Sequence, residues 1–96
     1  MTELVRIVDV QTILHGVLKL QWDDGYEGLV DLRPILEEGG VFAFLHDDPS
    51  AFAGVMLDSS RHRIYWVDPD GDEIDFGADS LRLRAERQAA LLKLAS

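Results

Sequence analysis

Five carboxylates, Asp68, Asp70, Asp72, Glu73 and Asp75, fall within the eight residues "DPDGDEID", the densest set of candidate ligands in this 96-residue chain. A hard cation needs several oxygens at short range, and calcium loops supply them from alternate positions. The twelve-residue loop also needs glycine at its sixth place and a bidentate glutamate at its twelfth. Counted from Asp68, those places hold Glu73 and Asp79. Pro69-Asp70-Gly71 between two hydrophobic runs reads instead as a turn, and no metal site is expected.

Histidine offers the other route to chemistry. His15, His46 and His62 are far apart and lack the paired spacing that puts two ligands on one helical face. "HDD" at 46–48 could orient a general base, but it also reads as a loop ending in a capping aspartate. Folding could still gather His46, Asp47, Asp48 and His62 into a small catalytic or ligand-binding site, which is the alternative reading. Ser59-Ser60 lacks the strained Gly-x-Ser-x-Gly setting of a hydrolase nucleophile. Gly39-Gly40 lacks the Lys and Ser/Thr that complete a phosphate loop. No catalytic, cofactor-binding or metal-ligating residue is therefore assigned.

Charge separates the chain into two parts. Residues 1–77 carry 16 acidic and 5 basic side chains, net −11, whereas residues 78–96 carry 2 acidic and 4 basic, net +2. An acidic body repels a phosphate backbone, so direct nucleic-acid binding is not expected, and a basic partner protein fits better. Arg82, Arg84, Arg87 and Lys93 form the one basic cluster, and they do not all share a helical face. A lone long helix cannot build a helix-turn-helix. The apolar runs are much shorter than the roughly 20 residues of a membrane span, and "MTELVRIVDV" lacks the uninterrupted apolar segment of a signal peptide. A cytoplasmic protein without disulfides is expected, since cysteine is absent.

The elements that position these residues follow from periodicity. "LVRIVDV" (4–10) is β-branched and apolar, and reads as a first strand. "GVLKLQW" (16–22) alternates, with Leu18, Leu20 and Trp22 on one face. Asp23-Asp24-Gly25 makes a turn into "YEGLVDL" (26–32), whose apolar row is Tyr26, Gly28, Val30 and Leu32. Pro34 opens a one-turn helix that Gly39-Gly40 stops, and Phe42, Phe44 and Leu45 plug the core. Asp48 caps a second short helix opened by Pro49, anchored by Phe52 and ended by Gly54. Strands follow at 54–58, 62–67 and 72–76.

From Asp79 the composition is that of a helix over about 79–95, with Asp79 as N-cap. Leu81, Ala85, Ala89 and Leu92 would pack on the sheet, while Leu83, Ala90 and Leu94 fall on the opposite side. A helix apolar on two sides wants two partners.

The segments "GVLKLQWDDGYEGLVDLRPIL", "FAFLHDDPSAFAGVML" and "IYWVDPDGDEIDFGADSL" together resemble the family catalogued as domain of unknown function 2442. The resemblance spans about residues 7–84 and rests on Gly25, Asp31, Leu32, Leu45, Phe52, Trp66, Gly71 and Leu81, all fold-forming residues. It implies a small bacterial α+β domain with no carried-over catalytic residue. Members of the family look like partners in toxin–antitoxin gene pairs, and some are fused to helix-turn-helix regions. No such fusion is seen here.

The expectation is thus an α+β fold in a single domain, 1–96: a small, mostly antiparallel sheet of hairpins (body 1–77), one-turn helices, and a C-terminal helix packed on the sheet. The expected function is a non-enzymatic protein-binding module, antitoxin-like or regulatory. Its partner would be another, toxin-like protein, or a second copy making a homodimeric regulator, engaged through the acidic sheet body or through Leu83, Arg84, Arg87 and Leu94 on the second face of the helix. No cofactor and no membrane contact are expected.

Overall fold

In the computed structural model, which describes residues 5–95 with side chains through Lys93, the alternating run at 17–22 is the central strand of a sheet. This strand, β2 (Val17–Trp22), pairs antiparallel with β1 (Ile7–Leu14) on one side and β3 (Glu27–Asp31) on the other. Leu18, Leu20 and Trp22 are buried, as a period of two requires of a strand with one face on a core. The β2–β3 turn is Asp23-Asp24-Gly25, with Gly25 at φ +88° and the Asp24 carboxylate accepting the Tyr26 N–H at 3.2 Å.

The first strand starts and ends later than its composition suggests. Leu4 lies outside the described residues, and pairing runs from Ile7 to Leu14. A tight turn at His15-Gly16 is responsible: Gly16 takes φ +89° and sets Leu14 opposite Val17, which draws residues 11–14 into the ladder. Register shifts between Ile7 and Asp9 and between Thr12 and Leu14 leave Val8 and Ile13 as the extra residues, both exposed.

The expected single sheet is two. After β3 the chain forms α1 (Arg33–Leu36), a 3₁₀ turn at Gly40–Phe42, α2 (Ala43–Asp47) and α3 (Pro49–Ala53). It then builds a second antiparallel sheet from β4 (Met56–Leu57), β5 (Arg63–Val67) and β6 (Glu73–Gly77), in that order. The intervening helices replace a hairpin connection and divert the chain from the first sheet. Pro34 stands in the first turn of α1. Asp48 caps α3 through the Ser50 N–H, and Gly54 follows its last residue. The 3₁₀ turn and α2 are unannounced, because "GVF" and "AFLHD" are too short for helical periodicity to register.

The last helix, α4 (Ala78–Ala95), begins directly after β6, so Asp79 stands in its first turn rather than at the N-cap. One core cluster joins all layers: Ile7, Leu18, Leu20, Trp22 and Val30 from the first sheet, Ile64 and Trp66 from the second, Leu36, Leu45 and Phe52 from the short helices, and Leu81 and Ala85 from α4. Phe42 and Phe44 lie only at its margin. Each buried indole finds an acceptor, Trp66 Nε1 donating to the Phe52 carbonyl at 2.7 Å and Trp22 Nε1 to the Ala78 carbonyl at 3.3 Å. The architecture is α+β.

Candidate functional site

Strong helix formers make α4, but its placement is set by three contacts along β3. Arg82 reaches Asp24 and the Tyr26 ring, Ala85 sits over Gly28, and Gln88 reaches Asp31. The helix therefore runs along β3 in the same direction. Gly28 permits this approach, since a Cβ there would lie 3.1 Å from the Ala85 Cβ. Leu81 and Ala85 are buried by it, whereas Ala89 and Leu92 are exposed, contrary to the expected stripe, because the helix outruns the sheet.

Beside this contact, α4, the end of β3 and the start of α1 enclose an open groove of about 440 Å³. Its walls are Ser80, Leu83, Arg84, Arg87 and Gln88 from α4, with Asp31 and Pro34 opposite. Three of the four residues expected from sequence to bind a partner, Leu83, Arg84 and Arg87, thus meet in one place. The Leu94 side chain lies outside the described residues. Arg82 points to the other side of the helix, so the basic cluster divides into a tether and a groove.

The sequence marks Asp31 and Pro34 only as fold-forming residues, and nothing in it points to Ser80 or Gln88 as wall residues. The spacing i, i+4, i+7, i+8 of Ser80, Arg84, Arg87 and Gln88 marks one side of a helix, but the opposing wall is set by the third strand and α1. Asp31 is neutralised within the groove: Arg33 grips it through Nε–Oδ1 and Nη2–Oδ2, both 2.8 Å, and holds its carboxyl below the usual carboxylate range. Among the described residues neither Arg84 nor Arg87 makes an ion pair. Two free guanidinium forks beside Leu83 and Pro34 can hold a carboxylate or another oxyanion next to an apolar anchor. Among the described residues no imidazole or carboxylate is hydrogen-bonded to Ser80 to activate its hydroxyl.

The other candidates have structural employment. Asp68 Oδ1 accepts the N–H groups of Asp70 at 2.9 Å and Asp72 at 2.8 Å, which closes the turn around Gly71. Asp75, Glu73 and Asp58 surround Arg63 at 3.2, 2.8 and 3.1 Å. His15 Nε2 donates to the His46 carbonyl, and its ring packs 5.6 Å from Phe52. His46 Nδ1 donates to Asp47, and Asp48 is occupied by the α3 cap. His62 precedes β5, its carbonyl accepting the Ala78 N–H at 2.7 Å. No hydrogen bond or ion pair joins His62 to the other three among the described residues, and no group of three or more His, Asp or Glu there could hold a metal ion.

Among the described residues no helix is long and apolar enough to cross a membrane. No curated protein and no solved structure matches the chain. A family model does match, over residues 7–87, which takes in every strand and α4 as far as Arg87. With most of its length matched and its strand–turn–strand and terminal-helix pattern in place, the chain belongs to the family described as protein of unknown function (DUF2442).

Proposed function

We propose that this domain is a non-enzymatic protein-binding module that takes an acidic segment of another protein into the groove between α4, β3 and α1. The observation that carries the reading is the pair Arg84 and Arg87, unpaired among the described residues of a chain of net charge −9. In a body so rich in carboxylates, two guanidiniums without partners mark where an incoming acid is preferred over the protein's own. Leu83 and Pro34 supply the apolar contact that charge alone lacks. A toxin-like protein held by an antitoxin-like domain is one form of this pairing, supported by the family resemblance alone.

The test is affinity capture with the tagged chain and with an Arg84→Glu/Arg87→Glu variant, at low and moderate salt. A stoichiometric protein held by the wild type and lost by the variant is the expected result. Equal capture by both sinks the groove as the site. Self-association through α4 is the second reading, favoured by Leu91 and Leu92 at 65% and 68% exposure. Light scattering on the purified chain separates the two.

A further inference from the structure

The outer edge of β3, whose Asp31 end lines the groove, has no strand neighbour among the described residues, and this bears on how a partner would be held. Leu32 N–H donates to the Gly16 carbonyl and Trp22 N–H to the Tyr26 carbonyl, which fixes the phase of the β2–β3 ladder. The register between them is unbroken. Even-numbered residues of β3 therefore turn their backbone groups to β2, and Glu27, Leu29 and Asp31 turn theirs outward. Along that edge the Asp31 N–H is met at 2.9 Å by the Gln88 side-chain oxygen, where the carbonyl of a neighbouring strand would stand. No partner meets the N–H groups of Glu27 and Leu29 among the described residues.

Resting on the protein-binding reading above, we infer that the groove receives an extended acidic segment of another protein as a fourth strand, antiparallel or parallel to β3, with Gln88 yielding its place to the incoming backbone. Main-chain bonds to Glu27, Leu29 and Asp31 would supply affinity, and alternate side chains specificity. Acidic side chains on the α4 side of the new strand meet Arg84 and Arg87. Apolar ones on the other side lie beside Leu29, which is 47% exposed. A second copy of this chain is a poor occupant: pairing two β3 edges about Leu29 sets Glu27 opposite the other copy's Asp31 and brings four arginines along one cleft.

The experiment uses the full ¹⁵N-labelled chain and a peptide alternating valine and glutamate, Val-Glu-Val-Glu-Val-Glu-Val, added to millimolar concentration. The expected result is at least ten-fold slower amide exchange at Glu27 and Leu29, abolished when alternate peptide nitrogens are methylated. Gln88→Ala should bind about five-fold tighter, the equivalent of one amide bond that no longer has to be broken. Shifts at Arg84 and Arg87 with free-rate exchange at Glu27 and Leu29 overturn strand addition and leave the groove reading standing. No shift at either place overturns both. Protection of the edge without peptide, together with a doubled mass in light scattering, replaces the acidic segment by a second copy.

Discussion

Arg82 and Asp24, 58 residues apart in sequence, form a two-point ion pair, with Nη1 to Oδ1 at 3.0 Å and Nη2 to Oδ2 at 2.9 Å. The same guanidinium lies 4.0 Å over the Tyr26 ring and 5.4 Å from that of Trp22. This contact ties the start of α4 to the first sheet's hairpin and so decides which side of the helix is left to form the groove.

Arg82→Lys keeps the charge but loses both the fork and the planar stacking on Tyr26. It should lower the stability of the fold by about 1 kcal/mol, mostly from the aromatic contact. Urea denaturation followed by tryptophan fluorescence measures this. A midpoint equal to that of the wild type would show that Arg82 is a spectator.

Gly28→Ala should destabilise by about 1–3 kcal/mol, because the added methyl meets the Ala85 Cβ at 3.1 Å and the Tyr26 ring at 3.2 Å and must push α4 away. Ala85→Gly carries its own helix cost of about 1 kcal/mol. In combination with Gly28→Ala it should cost less than the two separately. A double-mutant cycle with no coupling would mean that the helix accommodates the methyl without moving.

Leu81 and Leu92 occupy the same helical face and should respond oppositely to truncation. Leu81 is fully buried in the core, and Leu81→Ala should cost about 2–5 kcal/mol. Leu92 lies beyond the sheet, and Leu92→Ala should stay within about 0.5 kcal/mol of the wild type. Thermal denaturation of the two variants makes the comparison. A large loss at Leu92 would require a contact made in solution by an assembled form.

Four aspartates give stability a common pH dependence. Hydrogen bonds from Arg82 hold Asp24 low, those from Arg33 hold Asp31, those from Ser50 hold Asp48, and those from Ser60 hold Asp58. Each folded value lies below the unfolded value of about 3.9, so each contribution is present above that pH and is lost as pH falls through the depressed folded value. The melting temperature should be nearly flat above about pH 5 and fall steeply below about pH 4. Asp48→Asn, which can still cap α3, should shallow the acid limb, and an unchanged slope would remove Asp48 from the account.

Much of the local structure is determined by the sequence alone. Alternation at 17–22, the Asp-Asp-Gly turn, the caps at Asp48 and Pro49, the Pro69-Asp70-Gly71 turn and the helical composition after residue 78 each act over a few neighbouring residues, so single-chain chemistry suffices to specify them. The His15-Gly16 turn and α2 are equally local but too short to leave a period. Three residues of the groove wall, Leu83, Arg84 and Arg87, were legible because helical residues apolar or basic away from the core call for an explanation. Tertiary structure alone decided the rest. The division into two sheets, the burial of Leu81 but not Leu92 on one face, the diversion of Arg82 to Asp24, and the meeting of Asp31 with Gln88 across 57 residues depend on where α4 crosses β3. That crossing is set by the missing side chain at Gly28, the Arg82–Asp24 ion pair and the Gln88–Asp31 hydrogen bond. Contacts between distant residues satisfy groups whose own neighbours leave them open, and no local pattern records which distant group will arrive.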